Sequence, residues 1–365
     1  MKKIDKIYFL LPGMDINEKR ECVPVGGYKV VYEYANLFAQ AGYNVIIAYS
    51  HARCHYKTIK EYIRSFIGFY YRKMRGQLKG GTYFPLDKNI CKKFYYRYSS
   101  PWFKLCNDDI AFATAFPTAT ELNAIKTLST DRKYYFIQGY ELWEATEEEL
   151  RNSYRYGMHN IVIAPWLGEK VSEAGAQATC IMNGFNFKDF RITLAIENRD
   201  KYHVIMLNHT LVHKRCIDAW TALNLVKQEI PQLHVTMFGT YDFPQHLPSW
   251  YAYHQNPSKE ELNAIYNSGA IYVAASDFEG FGLTIGEAMI CGCAVACTNN
   301  GGFSCMAKNE KTALLSEIYD VKSLANNIKR LINDDALRIK IAQNGNKYIQ
   351  TFTWKDSLKK LEALL

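Results

Sequence analysis

The chain has 365 residues, of which 22% are charged and 48% hydrophobic, with a formal net charge of +8. That balance describes a globular chain long enough for two domains and excludes a disordered or low-complexity protein. No run of 18 apolar residues occurs, which argues against a membrane-spanning helix. The ten cysteines show no C-x-x-C spacing, and no histidine or carboxylate joins Cys291 and Cys293 at ligand spacing. A metal site is therefore not expected, and buried thiols in a reducing, cytoplasmic setting are.

The opening Met1–Lys6 runs straight into an apolar strand, Ile7–Leu11, without the apolar h-region of a signal peptide. Paired glycines, Gly26 and Gly27, precede a helix expected from Gly27 to Ala41, stopped by Gly42 and followed by a strand over Asn44–Tyr49. Residues 51–105 carry thirteen Lys/Arg against Glu61 and Asp87, a net of +11 that leaves −3 for the rest of the chain. Within this segment Ile59, Tyr62, Ile63, Phe66, Ile67, Tyr70 and Met74 fall at helical spacing as one apolar stripe, with Lys57, Lys60, Arg64, Arg72, Lys73 and Arg75 mostly on the other faces. Such a helix fits an anionic membrane surface through residues 55–79, packing on its own domain, or, with no motif in support, nucleic acid. Further strands are expected at Ile110–Ala115, Tyr134–Ile137 and Asn160–Ala164. The polar run 188–201 reads as a linker.

A second alternating series starts at His203–Leu207 and continues with a helix over Cys216–Lys227, strands at His234–Phe238 and Tyr251–His254, a helix over Glu260–Tyr266 and a strand over Ala270–Ala275. Two amphipathic helices near 320–333 and 336–351 and a last helix to Leu365 complete it. Strands alternating with helices predict parallel, doubly wound sheets.

The chemistry concentrates in Ser276–Met289, where Glu279 and Glu287 stand eight residues apart around Gly280-Phe281-Gly282. A strand, a glycine turn and a helix start expose backbone N–H groups and the positive end of the helix dipole, which suits a diphosphate. A carboxylate on either side suits hydroxyls at both ends of the ligand, as in a nucleotide sugar. The near match to G-x-G-x-x-G is off by one, and Thr298-Asn299-Asn300 replaces the acid that a dinucleotide fold places after the next strand.

This pattern resembles the E-x7-E motif of retaining glycosyltransferases of family 4, which have the GT-B fold. The resemblance implies two Rossmann-like domains: an acceptor-binding one over 1–187, onto which the helix 352–365 packs back, and a nucleotide-sugar-binding one over 200–351. It also implies that Glu279 faces the donor sugar, that Glu287 grips the ribose, and that Gly282, Leu283 and Thr284 meet the diphosphate. Val23–Tyr28, with Gly26 and Gly27, resembles the family's first glycine-rich loop, and Ile181–Asn186 the turn that closes the first domain. After His203–Leu207 the family has an arginine and, five residues on, a lysine. Lys214 matches the lysine, whereas His209 stands in the arginine's place and is charged only near or below about pH 6.5. Arg215 is the candidate to supply the missing charge.

Asn256 and Pro257 occupy the position of the nucleobase pocket. Thr114 stands where many relatives carry a histidine, and the pairing of Ala113-Thr114-Ala115 with Gln138-Gly139-Tyr140-Glu141 resembles the rhamnosyltransferase-like branch. There Thr114 and Gln138 are candidate catalytic residues and Tyr140 and Glu141 candidate acceptor contacts. The resemblance thus implies transfer, with retention, of a hexose or deoxyhexose from a nucleoside diphosphate sugar to a glycan acceptor in cell-surface polysaccharide assembly. It calls for no metal, no cofactor and no nucleic-acid partner, and fits a cytoplasmic protein, peripheral on the inner face of the plasma membrane. A nucleotide-sugar epimerase or non-catalytic binder of similar fold is the alternative.

Overall fold

The computed structural model describes residues 4–14, 25–51, 55–100, 103–143, 145–242 and 247–365. The chain divides into two compact units, Met1–Met182 with Leu358–Leu365, and Asn183–Ser357.

In the first unit the elements run β1 (Ile7–Leu11), α1 (Gly26–Gln40), β2 (Val45–Ser50), α2 (Ile59–Met74), β3 (Cys91–Tyr95), β4 (Ile110–Ala113), α3 (Phe116–Ala124), β5 (Lys133–Ile137), α4 (Glu147–Ser153), β6 (His159–Val162), α5 (Pro165–Glu173) and β7 (Ala178–Cys180). Seven parallel strands lie in the order β3-β2-β1-β4-β5-β6-β7. The central strands β1, β2, β4 and β5 are buried on both faces, so they read as unbroken apolar runs rather than alternating ones. Gly42 ends α1 at φ +93°, a left-handed turn where a side chain is disfavoured.

The expected apolar stripe of α2 is split. Phe69 is the helix's buried residue, and Tyr62, Phe66 and Tyr70 gather around Tyr96 with ring centroids 5.9, 5.1 and 6.5 Å away. Ile59 and Met74 are 80% and 81% exposed, and Ile63, Ile67 and Tyr71 are also exposed. Sequence periodicity had merged these two rows because neighbouring rows of a helix lie within one broad stripe. The edge strand β3 and the helix α3 were not expected. β3 is half charged, and α3 is short and opens with Phe116-Pro117.

The second unit contains β8 (His203–Leu207), α6 (Cys216–Glu229), β9 (His234–Gly239), β10 (Tyr251–Gln255), α7 (Lys259–Ser268), β11 (Ile271–Ala274), α8 (Leu283–Ile290), β12 (Ala294–Thr298), β13 (Ala313–Ser316), α9 (Val321–Asn333) and α10 (Asp335–Ile349). Six parallel strands lie in the order β10-β9-β8-β11-β12-β13. Its core joins Val204, Met206, Leu223, Val235, Val273, Ala296 and Leu314 to Ile328, Leu331 and Ile341. Cys291, Cys293 and Cys297 are buried, and burial pushes the Cys293 thiol up to about 11. The last helix, α11 (Trp354–Glu362), begins in the second unit. The chain then ends in the first, where Tyr134 donates to the carbonyl of Leu364 at 2.7 Å.

The run 188–201 is not a loose linker. Arg191 and Thr193 donate backbone N–H groups to Asn263 and Asn267 of α7, and the buried Arg199 guanidinium bonds the carbonyls of Leu194, Gly269 and Cys291. Polar composition here marks a segment held by side-chain hydrogen bonds rather than by apolar packing.

Candidate functional site

In each sheet the strand order reverses at one place, between β1 and β4 and between β8 and β11. Loops leaving the carboxyl ends of strands diverge there and leave a crevice, the usual ligand site of open α/β sheets. In the second unit the loop after β8 carries Lys214 and the loop after β11 carries Ser276 and Glu279.

Those loops meet. Lys214 Nζ lies 2.7 Å from Glu279 Oε1, with the two side chains 19% and 11% exposed, and Ser276 Oγ donates to the same oxygen at 2.8 Å. Leu207, Tyr272 and Thr284 line the same recess. Gly282 caps α8 at φ +91° and has no side chain to bond the helix's first N–H groups. A β-carbon on Gly282 would stand 2.6 Å from the Phe303 ring, and one on Gly302 would stand 2.4 Å from the Glu279 carbonyl oxygen. The Gly301-Gly302 loop therefore packs directly under the backbone of Glu279. Asn300 and Thr298, found where a dinucleotide fold would have an acid, instead donate to the Ser276 carbonyl at 2.8 and 2.5 Å. Glu287 is buried one turn into α8, with Tyr266 Oη donating to it at 3.3 Å.

Arg215 does not join this cluster. It sits in the left-handed region at φ +47°, binds Asp218 through two 2.8 Å hydrogen bonds and lies 5.0 Å over the Tyr319 ring. Tyr319 in turn donates to Asp277 at 3.0 Å, and the Asp277 N–H donates to the His213 carbonyl. Arg215 is thus a brace between the loop bearing Lys214 and the loop bearing Glu279, and the missing charge is not supplied by it. His209 accepts the Leu211 N–H on Nδ1 at 3.0 Å, which leaves Nε2 as the protonated nitrogen of the neutral ring. Burial, then the nearby Lys214, lowers His209 to about 4. It is a neutral donor near pH 7 and not a stand-in for an arginine's charge. Asn256, at φ +49°, and Pro257 lie at the end of the edge strand β10, two strands from β8.

In the first unit, Gly26 and Gly27 open α1, and a β-carbon on Gly27 would lie 3.5 Å from Gln138 Nε2. Val23 and Pro24 of that loop lie outside the described residues. Thr114 is buried, and its hydroxyl donates to the Leu10 carbonyl at 2.7 Å. It ties β4 to β1 and has no proton to offer a ligand, so the structure removes it from the catalytic candidates. Gln138 donates to the Thr114 carbonyl at 3.4 Å. Tyr140 donates to Glu147 at 3.0 Å, and Glu141 accepts the Phe116 N–H at the start of α3 at 2.6 Å. Burial pushes the Glu141 carboxyl up to about 8.

Sequence reasoning missed Ser276, Tyr266, Asp277 and Tyr319 as partners of the site. A polar residue at the carboxyl end of a strand is a signal that could have found Ser276. Tyr266 and Tyr319 reach the site only through the fold.

Residues 193–348, within the second unit, match the family model described as glycosyl transferases group 1. The chain is 32% identical over 105 residues to D-inositol 3-phosphate glycosyltransferase of Corynebacterium jeikeium, a match covering 29% of this chain and 25% of that protein. It is 31% identical over 112 residues to sucrose-phosphate synthase of Spinacia oleracea, covering 30% and 11%. The matched stretch thus spans a quarter or less of these relatives. The whole fold is similar to the crystal structure of TarM (TM-score 0.72, 12% identity, 99% of both chains) and to that of Anabaena HepE in complex with UDP-glucose (0.69, 14%, 98% of both). These likenesses establish the fold class, two Rossmann-like α/β units as in GT-B glycosyltransferases.

Proposed function

We propose that the protein is a retaining glycosyltransferase that moves a hexose or deoxyhexose from a nucleoside diphosphate sugar to a glycan acceptor. The observation that carries this reading is the Lys214–Glu279–Ser276 cluster beside the glycine-capped start of α8 at a strand-order reversal. In this reading the diphosphate takes Lys214 and the N–H groups of Leu283 and Thr284, with His209 as a neutral donor. Negative charge grows on that diphosphate as the glycosidic bond breaks, and a cation and helix start already in place stabilise it without reorganisation. An ammonium has three protons, so Lys214 can bind phosphate while still holding Glu279. Glu279 meets hydroxyls of the sugar through Oε2, since Lys214 and Ser276 both donate to Oε1. Glu287 takes the ribose and Asn256-Pro257 the base. The diphosphate is then held by a cation and backbone rather than by a metal.

The first unit serves the acceptor through Tyr140 and Glu141. Among the described residues no helix is long and apolar enough to cross a membrane. The exposed row Ile59, Ile63, Ile67, Met74 of α2, with Lys57, Lys60 and Arg64 beside it, supports a peripheral site on an anionic cytoplasmic surface, and hence a lipid-linked acceptor in cell-surface polysaccharide assembly. Incubating the protein with a panel of nucleotide sugars and acceptors tests this. Mass spectrometry should show a glycosylated acceptor, and proton NMR of the first product should show the donor's anomeric configuration. An inverted linkage ends the retaining assignment, and an isomerised donor without transfer means an epimerase.

A further inference from the structure

Two tyrosines lie beneath the motif of the second unit. Tyr266 donates to Glu287 at 3.3 Å. Tyr272, on β11, packs against it edge to face with ring centroids 5.7 Å apart. Ile271 and Val273 on either side belong to the apolar core, so strand alternation turns Tyr272 to the opposite face. There its side chain lines the recess shared by Lys214, Cys216, Glu279 and Thr284. Tyr272 is 0% exposed, and its hydroxyl has no hydrogen-bond partner among the described residues. A buried hydroxyl without a partner is costly to the fold. The recess holds about 10 Å³, at or under the room that one water needs. Of the polar groups around it, Lys214 and Ser276 donate to Glu279, and the Cys216 thiol donates to the Leu207 carbonyl at 3.4 Å. Thr284, the second residue of α8, is the hydroxyl placed to meet Tyr272. Burial holds Tyr272 well above its ordinary value, and the Thr284 side chain acts against that rise.

We propose that Tyr272 is a positioning residue for the donor: it donates to the Thr284 hydroxyl, and Thr284 donates its own proton to an oxygen of the bound diphosphate. A hydroxyl has one proton and two lone pairs. With Tyr272 filling a lone pair from below, the Thr284 proton is turned outward to the ligand. A hydroxyl that donates to an anion also becomes a better acceptor, so the two bonds strengthen each other. The bond that Tyr272 lacks in the free fold is thus completed when the diphosphate arrives. This inference rests on the reading that the diphosphate lies at the start of α8, and it adds the side chains that aim Thr284.

The test compares Tyr272→Phe, Thr284→Val, the two together, and Thr284→Ser with and without Tyr272→Phe, all in the whole protein. Thermal unfolding follows the free chain, and calorimetry follows binding of UDP and of inorganic pyrophosphate, which carries the diphosphate without ribose or base. Tyr272→Phe should leave the free chain's Tm unchanged or raised, since it removes an unmet donor, and yet weaken both ligands about threefold to tenfold. Thr284→Val should weaken them about tenfold or more, because its bond is to a charged group. Adding Tyr272→Phe to Thr284→Val should cost nothing further, whereas adding it to Thr284→Ser should cost as much as in the parent. A fall in Tm with affinity unchanged makes Tyr272 purely structural and overturns the proposal. So does an equal loss of affinity in the Thr284→Val background, which means that Tyr272 acts through another group. A loss for UDP without one for pyrophosphate moves Tyr272 to the ribose and also overturns it. A parent that binds neither ligand removes the donor reading itself, and the proposal with it.

Discussion

The two strand-order reversals are built alike and equipped differently. At β8/β11 the polar groups converge on one another and on a helix start capped by a glycine, so a lysine, a serine and a glutamate stand together before any ligand arrives. At β1/β4 they are spent on their own backbone: Thr114 on Leu10, Gln138 on Thr114, Glu141 on Phe116. A charged cluster suits a diphosphate, whose binding gains from a fixed cation. A crevice whose side chains mostly bond their own backbone, with Gln138 Oε1 left as a buried acceptor, suits hydroxyl-rich ligands that donate to it and otherwise exchange hydrogen bonds one for one. The difference lies in which side chains the same topology brings to the carboxyl ends of the strands.

The sharpest break of this comparison is Lys214→Ala, which removes the cation and leaves Glu279 mostly buried with Ser276 alone. Turnover at saturating donor should fall on the order of 10²–10³-fold, the usual cost of losing a group that stabilises developing charge. Unchanged turnover would place the chemistry elsewhere. Glu287→Ala comes next. It removes a buried carboxylate whose charge-assisted hydrogen bonds to ribose are each worth about 1.5–3 kcal/mol, so donor affinity measured by calorimetry should drop at least tenfold. Thr114→Val is the contrast in the first unit. It should cost about 1 kcal/mol of stability through the lost bond to Leu10 while leaving turnover near the parent value. A large loss of turnover with little loss of stability would return Thr114 to the active site.

Two smaller effects are read through pH. The Glu141 carboxyl is held near 8 in the folded chain against an ordinary 4.5. The folded state therefore keeps a proton that the unfolded chain has lost between those values. Its contribution to stability is complete below about pH 4.5 and is lost as pH rises through about 8. Glu141→Gln, which keeps an acceptor for the Phe116 N–H, should flatten that fall and raise Tm at pH 8 by about 2–4 °C for each kcal/mol recovered. Parallel Tm profiles for the two proteins would mean that Glu141 is ionised in the fold. His209→Arg adds charge where the parent ring, lowered to about 4, is neutral. Donor affinity should hold or rise a few-fold and stay flat from pH 6 to 8 in both proteins. A folded arginine variant that binds no donor would show that the position has no room for a cation.

The chain's alternation of apolar runs, its glycine stops and the fourteen-residue stretch around Glu279 and Glu287 were legible before any fold was known. Each depends on local chemistry: a strand buried on both faces must be apolar, a left-handed turn favours glycine, and a glycine turn ahead of a helix exposes N–H groups. Short and half-charged elements were not legible. β3 pairs at an edge where only one neighbour is needed, and α3 has too few turns for a period to emerge. The pairing of Lys214 with Glu279 across 65 residues, the brace of Arg215 on Tyr319 and the splitting of the α2 stripe were decided by tertiary structure. Side-chain direction and partner choice depend on what the other strand ends deliver to the same crevice. Sequence spacing placed the motif on a turn and a helix, sheet order brought the Lys214 loop to it, and the left-handed backbone at Arg215 turned that side chain to Asp218.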